Sequence, residues 1–191
     1  AKYGKLATMD VPLSVVIAPD TFKGSLGAHE AAVAMGRGWL SERPHDRLTI
    51  LPQADGGEGT LDAIATAVPG AIRHVTGQVT GPDGRPTTGA WLELPGRIGV
   101  VELAQCSGLP FMLEPDPLGA TTRGLGEVIS HALGHGVESL VVGLGGSAST
   151  DGGAGALRAL GLELLNDDGA PLPDGGAALN SLARMDTSRL S

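Results

Sequence analysis

Three glycine-rich loops, each placed directly after a short apolar run, constrain this chain more than any other feature. They cover residues 18–25, 54–59 and 143–153. The chain holds 31 glycines in 191 residues, about twice the ordinary share of ~7 %. The glycines cluster between apolar runs and form no regular repeat. Such clusters indicate loops in which the backbone approaches another group closely.

The residues around the first two loops alternate between strand and helix patterns. Apolar runs at residues 13–18 and 48–51 are typical of buried strands. A helix is predicted between them, from a candidate N-cap at Ser25 to Pro44. Its apolar face is expected to consist of Ala28, Ala32, Met35 and Trp39. With a second helix over residues 61–68, this β-α-β-α order predicts the opening of a parallel sheet.

Antiparallel strands are predicted from about residue 75 onward. The strand patterns cover residues 75–80, 90–94 and 98–102. An amphipathic helix follows, with its apolar stripe at Leu125, Val128, Ile129, Ala132 and Leu133. A strand at residues 140–142, a short helix and a hairpin turning at residues 166–169 complete the pattern. The fold class is therefore predicted to be α/β, with a second subdomain that begins near residue 75.

The composition indicates which class of partner and which cellular compartment to expect. The chain carries 21 acidic and 13 basic residues and has no basic stripe, which argues against a nucleic-acid or anionic-membrane partner. No run approaches the ~20 apolar residues of a membrane span, and no signal-peptide pattern is visible. Cys106 is the single cysteine, so a reducing cytoplasm fits. We expect a small soluble metabolite as the partner and leave homo-oligomerisation open.

The position of the first loop favours an anion-binding site, because the loop joins a strand end to a helix N-terminus. Lys23 can offset the charge of a phosphate or of an acidic substrate, Ser25 is a candidate ligand-binding residue, and Asp20 is a candidate general base. An alternative interpretation is structural. In it Asp20 makes a turn, Ser25 caps the helix and Lys23 is solvated.

The second loop carries two carboxylates, Asp55 and Glu58, at the spacing of a capping box. They are candidates for holding Mg²⁺, and the structural alternative is a helix cap. The neighbouring Gly56 and Gly57 favour a binding role, because glycine costs ~1 kcal/mol per helical position relative to alanine.

The third loop offers a backbone anion nest at Gly145, Gly146 and Ser147, followed by Asp151 at the start of a helix. Asp151 is the other candidate general base and is ranked slightly ahead of Asp20, and the structural alternative is an N-cap. The same loop matches a dinucleotide fingerprint, with Asp167 at a suitable distance for a ribose contact. That match keeps an NAD-dependent oxidoreductase open, although Asp167 also fits a hairpin tip.

Other motifs carry little chemistry. No Gly-x-x-x-x-Gly-Lys-Ser/Thr motif is present, so the chain is not a P-loop enzyme. His131 and His135 are four residues apart but lack a third metal ligand in sequence, and Cys106 has no adjacent base.

Taken together, four segments in order give the chain a resemblance to the bacterial glycerate kinase family. They are APDTFKGSL at 18–26, ADGGEGT at 54–60, PLGATTRGLGEVI at 117–129 and GLGGSASTDGGAGALRALG at 143–161. The resemblance implies an enzyme that uses ATP and Mg²⁺ to phosphorylate D-glycerate, giving phosphoglycerate, with the 2-phosphorylated product favoured over the 3-phosphorylated one.

The resemblance also implies a two-domain α/β architecture, a Rossmann-like lobe with a mixed α/β lobe inserted into it. Residues 1–12 are interpreted as a lead-in that includes a cloning remnant, 13–74 as the first part of the Rossmann-like lobe, and 75–191 as the truncated inserted lobe. Because family chains are expected to be roughly twice this length, the first lobe should be incomplete here and the isolated chain can be inactive.

The resulting hypothesis places D-glycerate among the three loops. The catalytic candidates are Lys23, Asp151 and Asp20; the binding candidates are Ser25, Gly56, Gly57, Gly145, Gly146 and Ser147; and the metal candidates are Asp55 and Glu58. The alternatives kept open are an NAD-dependent oxidoreductase and a non-catalytic module that binds a phosphorylated metabolite.

Overall fold

The computed structural model of the chain describes residues 11–190. The predicted lead-in at residues 1–12 lies mostly outside this range. Within it, the chain divides into two compact units, the first ending at Gln53 and the second beginning at Ala54. Helices and strands are mixed in both units, so the predicted α/β class is confirmed.

The first unit is a β-α-β element, as the sequence predicted. It consists of β1 (Ser14–Ile17), α1 (Ala28–Glu42) and β2 (Arg47–Ile50). The two strands pair in parallel, with Ile17 opposite Ile50. A Cβ on Gly36 of α1 would lie 3.2 Å from the Ile50 Cδ1 atom, so the glycine lets the helix pack closely on the sheet.

Two details of α1 differ from the prediction. The helix begins after Gly27, not after Ser25, because residues 22–26 form a tight turn closed by reciprocal backbone hydrogen bonds between Phe22 and Leu26. The predicted apolar face is also only half correct. Ala28 and Ala32 are buried, whereas Met35 and Trp39 are exposed to 46 % and 39 %.

A buried carboxylate ties the end of α1 to the start of β1. Asp46 accepts hydrogen bonds from Trp39 Nε1 at 2.8 Å, from Arg43 Nε at 2.6 Å and from the Leu13 amide at 2.9 Å. The hydrogen bond from Arg43 is the main reason that the pKa of Asp46 lies well below its usual range, and burial acts in the opposite direction.

We expect Asp46→Asn to destabilise the chain at neutral pH and to matter less in acid. Since the pKa is lowered in the folded state, the stabilisation is complete above the unfolded value near ~4 and is lost as the pH falls below it. Melting temperatures of both proteins at pH 7 and pH 3 measure this directly. Asp62→Asn, which removes an exposed carboxylate, serves as the control. A gap between wild type and Asp46→Asn that stays constant with pH would contradict the prediction.

The second unit is built on a four-stranded sheet in the order β3–β4–β5–β6. The strands are β3 (Ile72–Thr80), β4 (Pro86–Leu94), β5 (Ile98–Glu102) and β6 (Ser139–Gly143). The first three pair antiparallel, and β5 and β6 pair in parallel. The predicted strands are therefore all present, and the parallel pair brings the ends of β5 and β6 to one edge.

Helices and a small second sheet complete this unit. The helices are α2 (Thr60–Ala67), α3 (Ala104–Ser107), α4 (Arg123–Gly134) and α5 (Ala154–Ala159). Short 3-10 helices cover Leu109–Phe111 and Gly176–Ser181. The small antiparallel sheet consists of β7 (Glu163–Leu165) and β8 (Arg184–Asp186). Among the described residues, none of the helices has both the length and the apolar character to span a membrane.

Strand β4 sends alternate side chains into two hydrophobic clusters. Trp91 packs with Val128 of α4, whereas Leu92 packs with Leu61 of α2. Because successive residues of a strand point to opposite faces, α4 and α2 cover opposite faces of the sheet. Burial of Leu61, which is 0 % exposed, contributes about 1.5–3 kcal/mol.

The boundary at Ala54 assigns α2 to the second unit, since Leu61 packs against β4 and β5. The sequence instead predicted a change of subdomain near residue 75. Compact units and family lobes are different divisions of the chain, and the lobes at 13–74 and 75–191 stay a prediction.

Candidate functional site

The second and third glycine loops lie directly against each other in the second unit. The Gly145 amide donates a hydrogen bond to the Gly56 carbonyl at 2.9 Å. A Cβ on Gly145 would lie 2.5 Å from the Gly57 nitrogen, and one on Gly143 would lie 2.7 Å from the Gly56 oxygen. No side chain fits at these contacts without backbone movement. The structure thus brings together four predicted site residues, Gly56, Gly57, Gly145 and Gly146, on two adjoining loops.

The third loop leaves two backbone amides without a partner. The Gly146 carbonyl accepts a hydrogen bond from the Leu109 amide, and the Ala148 amide donates to the carbonyl of Ser107, the last residue of α3. Within residues 11–190, however, the Gly146 and Ser147 amides donate no hydrogen bond, and both residues are exposed. Gly146 also has a left-handed backbone with φ of 72°. Consecutive exposed amides at such a turn form an anion-binding concavity.

The carboxylates of the second loop are exposed. Asp55 Oδ1 accepts a hydrogen bond from the Gly57 amide at 3.0 Å, which leaves its other oxygen unengaged by the described residues, and Glu58 is also exposed. The alternative of a capping box is not realised, because the N-cap of α2 is a left-handed Gly59 and no side-chain cap hydrogen bond is formed there. Both carboxylates are therefore accessible to a ligand.

These two carboxylates suit Mg²⁺ better than they suit a transition metal. Between residues 11 and 190, no group of three or more His, Cys, Asp or Glu side chains is placed to hold a metal ion. Mg²⁺ is commonly bound through one or two carboxylates, with waters and substrate phosphates as its other ligands. Asp55 and Glu58 are exposed carboxylates of the kind that such a site uses, and they stay candidates for it.

Asp151 is placed differently from the other acidic candidates, since it is only 1 % exposed. Its carboxylate accepts hydrogen bonds from the Thr122 amide and hydroxyl, each at 2.9 Å, and from the amides of Gly153 and Gly155, each at 3.0 Å. These contacts tie the start of α5 to the start of α4. The oxygens are thus engaged by the fold, and we expect Asp151 to position the third loop.

The first loop lies in the first unit. Asp20 Oδ1 accepts a hydrogen bond from the Thr21 amide at 2.6 Å, and the Ser25 hydroxyl donates to the Phe22 carbonyl at 2.8 Å. Asp20, Lys23 and Ser25 are all exposed. The predicted N-cap role of Ser25 is wrong, because its hydroxyl closes the turn that precedes α1.

His131, His135 and Cys106 belong to the core of the second unit and its margin. Trp91 Nε1 donates to His131 Nδ1 at 3.0 Å, and the His131 and His135 rings stack with centroids 4.3 Å apart. Burial, followed by the neighbouring histidines, lowers the pKa of His131. Burial also raises the pKa of the Cys106 thiol to about 12, which leaves it protonated and unreactive at neutral pH.

Asp167 lies in the turn that the sequence predicted. The Asn166 amide donates to the Ala170 carbonyl at 2.9 Å and the Gly169 amide donates back to the Asn166 carbonyl at 3.0 Å. A ribose-binding acid would instead stand at the end of a parallel strand. The hairpin-tip interpretation is therefore confirmed.

Comparison with known proteins decides the family. The model of the glycerate kinase family matches residues 15–191. The chain belongs to the glycerate kinase family. The glycerate kinase of Bacillus subtilis (strain 168) is 45 % identical over 181 residues, and the glycerate 2-kinase of Escherichia coli (strain K12) is 41 % identical over 181 residues. In each case the match covers 93 % of this chain and 47 % of the relative.

A solved structure agrees with these relatives. The crystal structure described as a putative glycerate kinase 2 from Salmonella typhimurium LT2 matches with a TM-score of 0.75 at 40 % identity. The match covers 94 % of this chain and 48 % of that chain. The chain therefore spans about half the length of the glycerate kinases that it matches, in line with the length expected from the resemblance.

The sequence did not predict a role for one buried carboxylate of this glycerate kinase family member, that of Glu102. Glu102 ends β5 and is 1 % exposed. It accepts hydrogen bonds from the Gly59 amide at 3.2 Å and from the Leu61 amide at 2.9 Å. Burial raises the pKa of Glu102, and the hydrogen bonds from Leu61 and Gly59 act in the opposite direction. The only sequence signal for such a role is that an acidic residue ends the strand pattern at 98–101. Glu102 is not adjacent in sequence to any of the three glycine loops.

Proposed function

We propose that the protein transfers a phosphoryl group from ATP to the 2-hydroxyl of D-glycerate, giving 2-phosphoglycerate and ADP. One observation carries this proposal beyond family membership. The exposed amides of Gly146 and Ser147 adjoin a loop that bears the exposed carboxylates Asp55 and Glu58. Anion-binding amides beside metal-binding carboxylates are what phosphoryl transfer requires.

Each loop has a role in this proposal. The Gly146 and Ser147 amides bind phosphate oxygens, and Gly56, Gly57 and Gly145 keep the two loops in register. Asp55 and Glu58 would hold Mg²⁺, which when bound neutralises phosphate charge and orients the nucleotide. From the first loop, Lys23 offsets the charge of anionic oxygens and Ser25 shapes the turn that carries Lys23.

The chemical step follows from these roles. The glycerate hydroxyl oxygen attacks the γ-phosphorus, the bond from that phosphorus to the bridging oxygen breaks, and ADP leaves. The hydroxyl proton passes to a carboxylate. We propose Asp20 as this base, because its exposed carboxylate is accessible whereas that of Asp151 accepts four hydrogen bonds from the fold.

The deciding experiment is an ADP-release assay with D-glycerate, ATP and Mg²⁺ on the complete natural protein. The phosphorus spectrum of the product separates 2- from 3-phosphoglycerate. Nicotinamide reduction without ADP release would support the oxidoreductase instead. Binding of ATP and glycerate without turnover would support a non-catalytic module. The same assay on residues 1–191 alone shows whether this half suffices.

We expect Lys23→Ala to lower kcat/KM on the order of 100-fold, since the loss of one preorganised charge-stabilising group costs about 10²–10³ in rate. The side chain is exposed, so the melting temperature should stay within about 2 °C of wild type. Steady-state kinetics and thermal unfolding measure the two effects. Arg37→Ala removes an exposed cation from α1 and should change neither. Turnover that survives Lys23→Ala would remove Lys23 from the mechanism.

A further inference from the structure

Glu102 stands where the second and third glycine loops meet. It is the last residue of β5 and pairs in register with Gly143, the last residue of β6. The Leu103 amide donates to the Gly143 carbonyl at 2.9 Å, so the backbone beside Glu102 fixes the point at which the third loop begins. Its side chain reaches the other way, to the amides of Gly59 and Leu61. One residue therefore contacts both loops.

A helix cap alone does not explain this arrangement. An Asp, Asn, Ser or Thr at the N-cap satisfies the first amides of a helix locally. Here the N-cap is Gly59 with φ of 87°, and the acceptor comes from a residue 43 positions away in sequence. Among the ion pairs of residues 11–190, none involves Glu102. A local cap would satisfy these amides without burying a carboxylate that has no cationic partner.

The position of Glu58 explains why a distant carboxylate binds the amides at the start of α2. On one side of it, Gly57 is packed against Gly145, where a Cβ added to Gly145 would lie 2.5 Å from the Gly57 nitrogen. On the other side, the Gly59 amide is bound by Glu102. The backbone of Glu58 is thus held at both neighbours, while its side chain is exposed.

We propose that Glu102 is a positioning residue that acts through Glu58, holding the exposed carboxylate in place for Mg²⁺. The metal part of this inference rests on the proposed function. The positioning part rests on the contacts of Glu102 and can be measured without turnover.

The first measurement is amide hydrogen exchange over residues 57–61 of the complete natural protein. Glu102→Gln keeps the size of the side chain but turns an NH₂ group toward one of the two amide donors. We expect exchange there to become about 10-fold faster or more. Glu127→Gln is the matched control, since Glu127 accepts hydrogen bonds from the Thr80 amide at 2.7 Å and hydroxyl at 2.8 Å. It should leave residues 57–61 unchanged.

The second measurement is a double-mutant cycle with Glu58→Gln, read as the Mg²⁺ concentration for half-maximal ADP release. We expect Glu102→Gln to raise this concentration about 10–100-fold. In the Glu58→Gln background it should raise it less than about 2-fold, because Glu102 then has no carboxylate to position. Additive effects, or unchanged exchange over residues 57–61, would overturn the inference.

Misfolding of Glu102→Gln and failure of the proposed function can each be distinguished from failure of the inference. If Glu102→Gln does not fold, Glu102→Asp keeps the charge but is one methylene shorter, and it should lose protection at the Gly59 or Leu61 amide. Full protection in Glu102→Asp would overturn the inference. If the wild-type protein releases no ADP with D-glycerate, the proposed function fails, and the exchange pattern alone then decides whether Glu102 holds the second loop.

Discussion

Replacing Gly145 with alanine is expected to force the second and third glycine loops apart and to remove most of the activity. The new Cβ would lie 2.5 Å from the Gly57 nitrogen and 2.6 Å from its Cα, and backbone atoms cannot move aside as a side chain can. The hydrogen bond from Gly145 to Gly56 would be broken or stretched. Misplacing a reacting group by about 1 Å can cost a factor on the order of 100 in rate, and overpacking costs about 1–3 kcal/mol.

Gly134→Ala is the matched control for this substitution. It makes the same change in the second unit, at the end of α4, where a Cβ would meet nothing within 4 Å. Its activity should be that of wild type. The two variants are compared by ADP release with saturating D-glycerate and by thermal unfolding. If Gly145→Ala retains full turnover, the contact between the loops is not needed for the reaction.

The elements that flank the loops were predictable because their signals are local. In the stripe predicted for α4, Leu125, Val128 and Ala132 are buried and Ile129 is half-buried against the same core, whereas Leu133 is 37 % exposed. The β-α-β opening follows from apolar runs separated by one helical pattern. The predicted start of α1 was wrong because a tight turn precedes the helix. Ser25 has the chemistry of an N-cap, but the left-handed Gly24, with φ of 75°, bends the chain before the helix can begin.

The roles of the carboxylates were not predictable, because they depend on partners far away in sequence. Asp55 and Asp151 each follow a strand and stand beside glycines, yet one is exposed and the other is 1 % exposed. The difference arises from Thr122, which lies 29 residues from Asp151 in sequence and donates to it twice. Glu102 was missed for the same reason, since its partners precede it by 41 and 43 residues.

Burial divides the acidic residues of this site into two kinds. Asp55 and Glu58 are exposed and can meet a cation, whereas Glu102 and Asp151 bind backbone amides at the N-terminal ends of α2 and α5. Carboxylates at helix N-terminal ends are stabilised by the helix dipole. The buried pair therefore fixes loop geometry, and the exposed pair stays accessible to solvent.

Asp151→Asn distinguishes a positioning role from a catalytic one. The asparagine NH₂ group would face donors that now bind a carboxylate, and at least one buried amide would lose its acceptor. We expect a loss of about 3 kcal/mol in the free energy of unfolding, which lowers the melting temperature by about 6 to 12 °C for a chain of this size. Turnover should fall because the third loop is no longer held, and it should fall together with stability.

The control is Asp116→Asn, in an exposed loop where the carboxylate accepts hydrogen bonds from Leu118 at 3.2 Å and Gly119 at 2.9 Å. It loses the same kind of acceptor, but water can replace it, so the change should stay below about 1 kcal/mol. Thermal unfolding and single-turnover kinetics are measured on each variant. A general base would give a different pattern. If Asp151→Asn unfolds at the wild-type temperature but loses the chemical step, then Asp151 and not Asp20 accepts the glycerate proton.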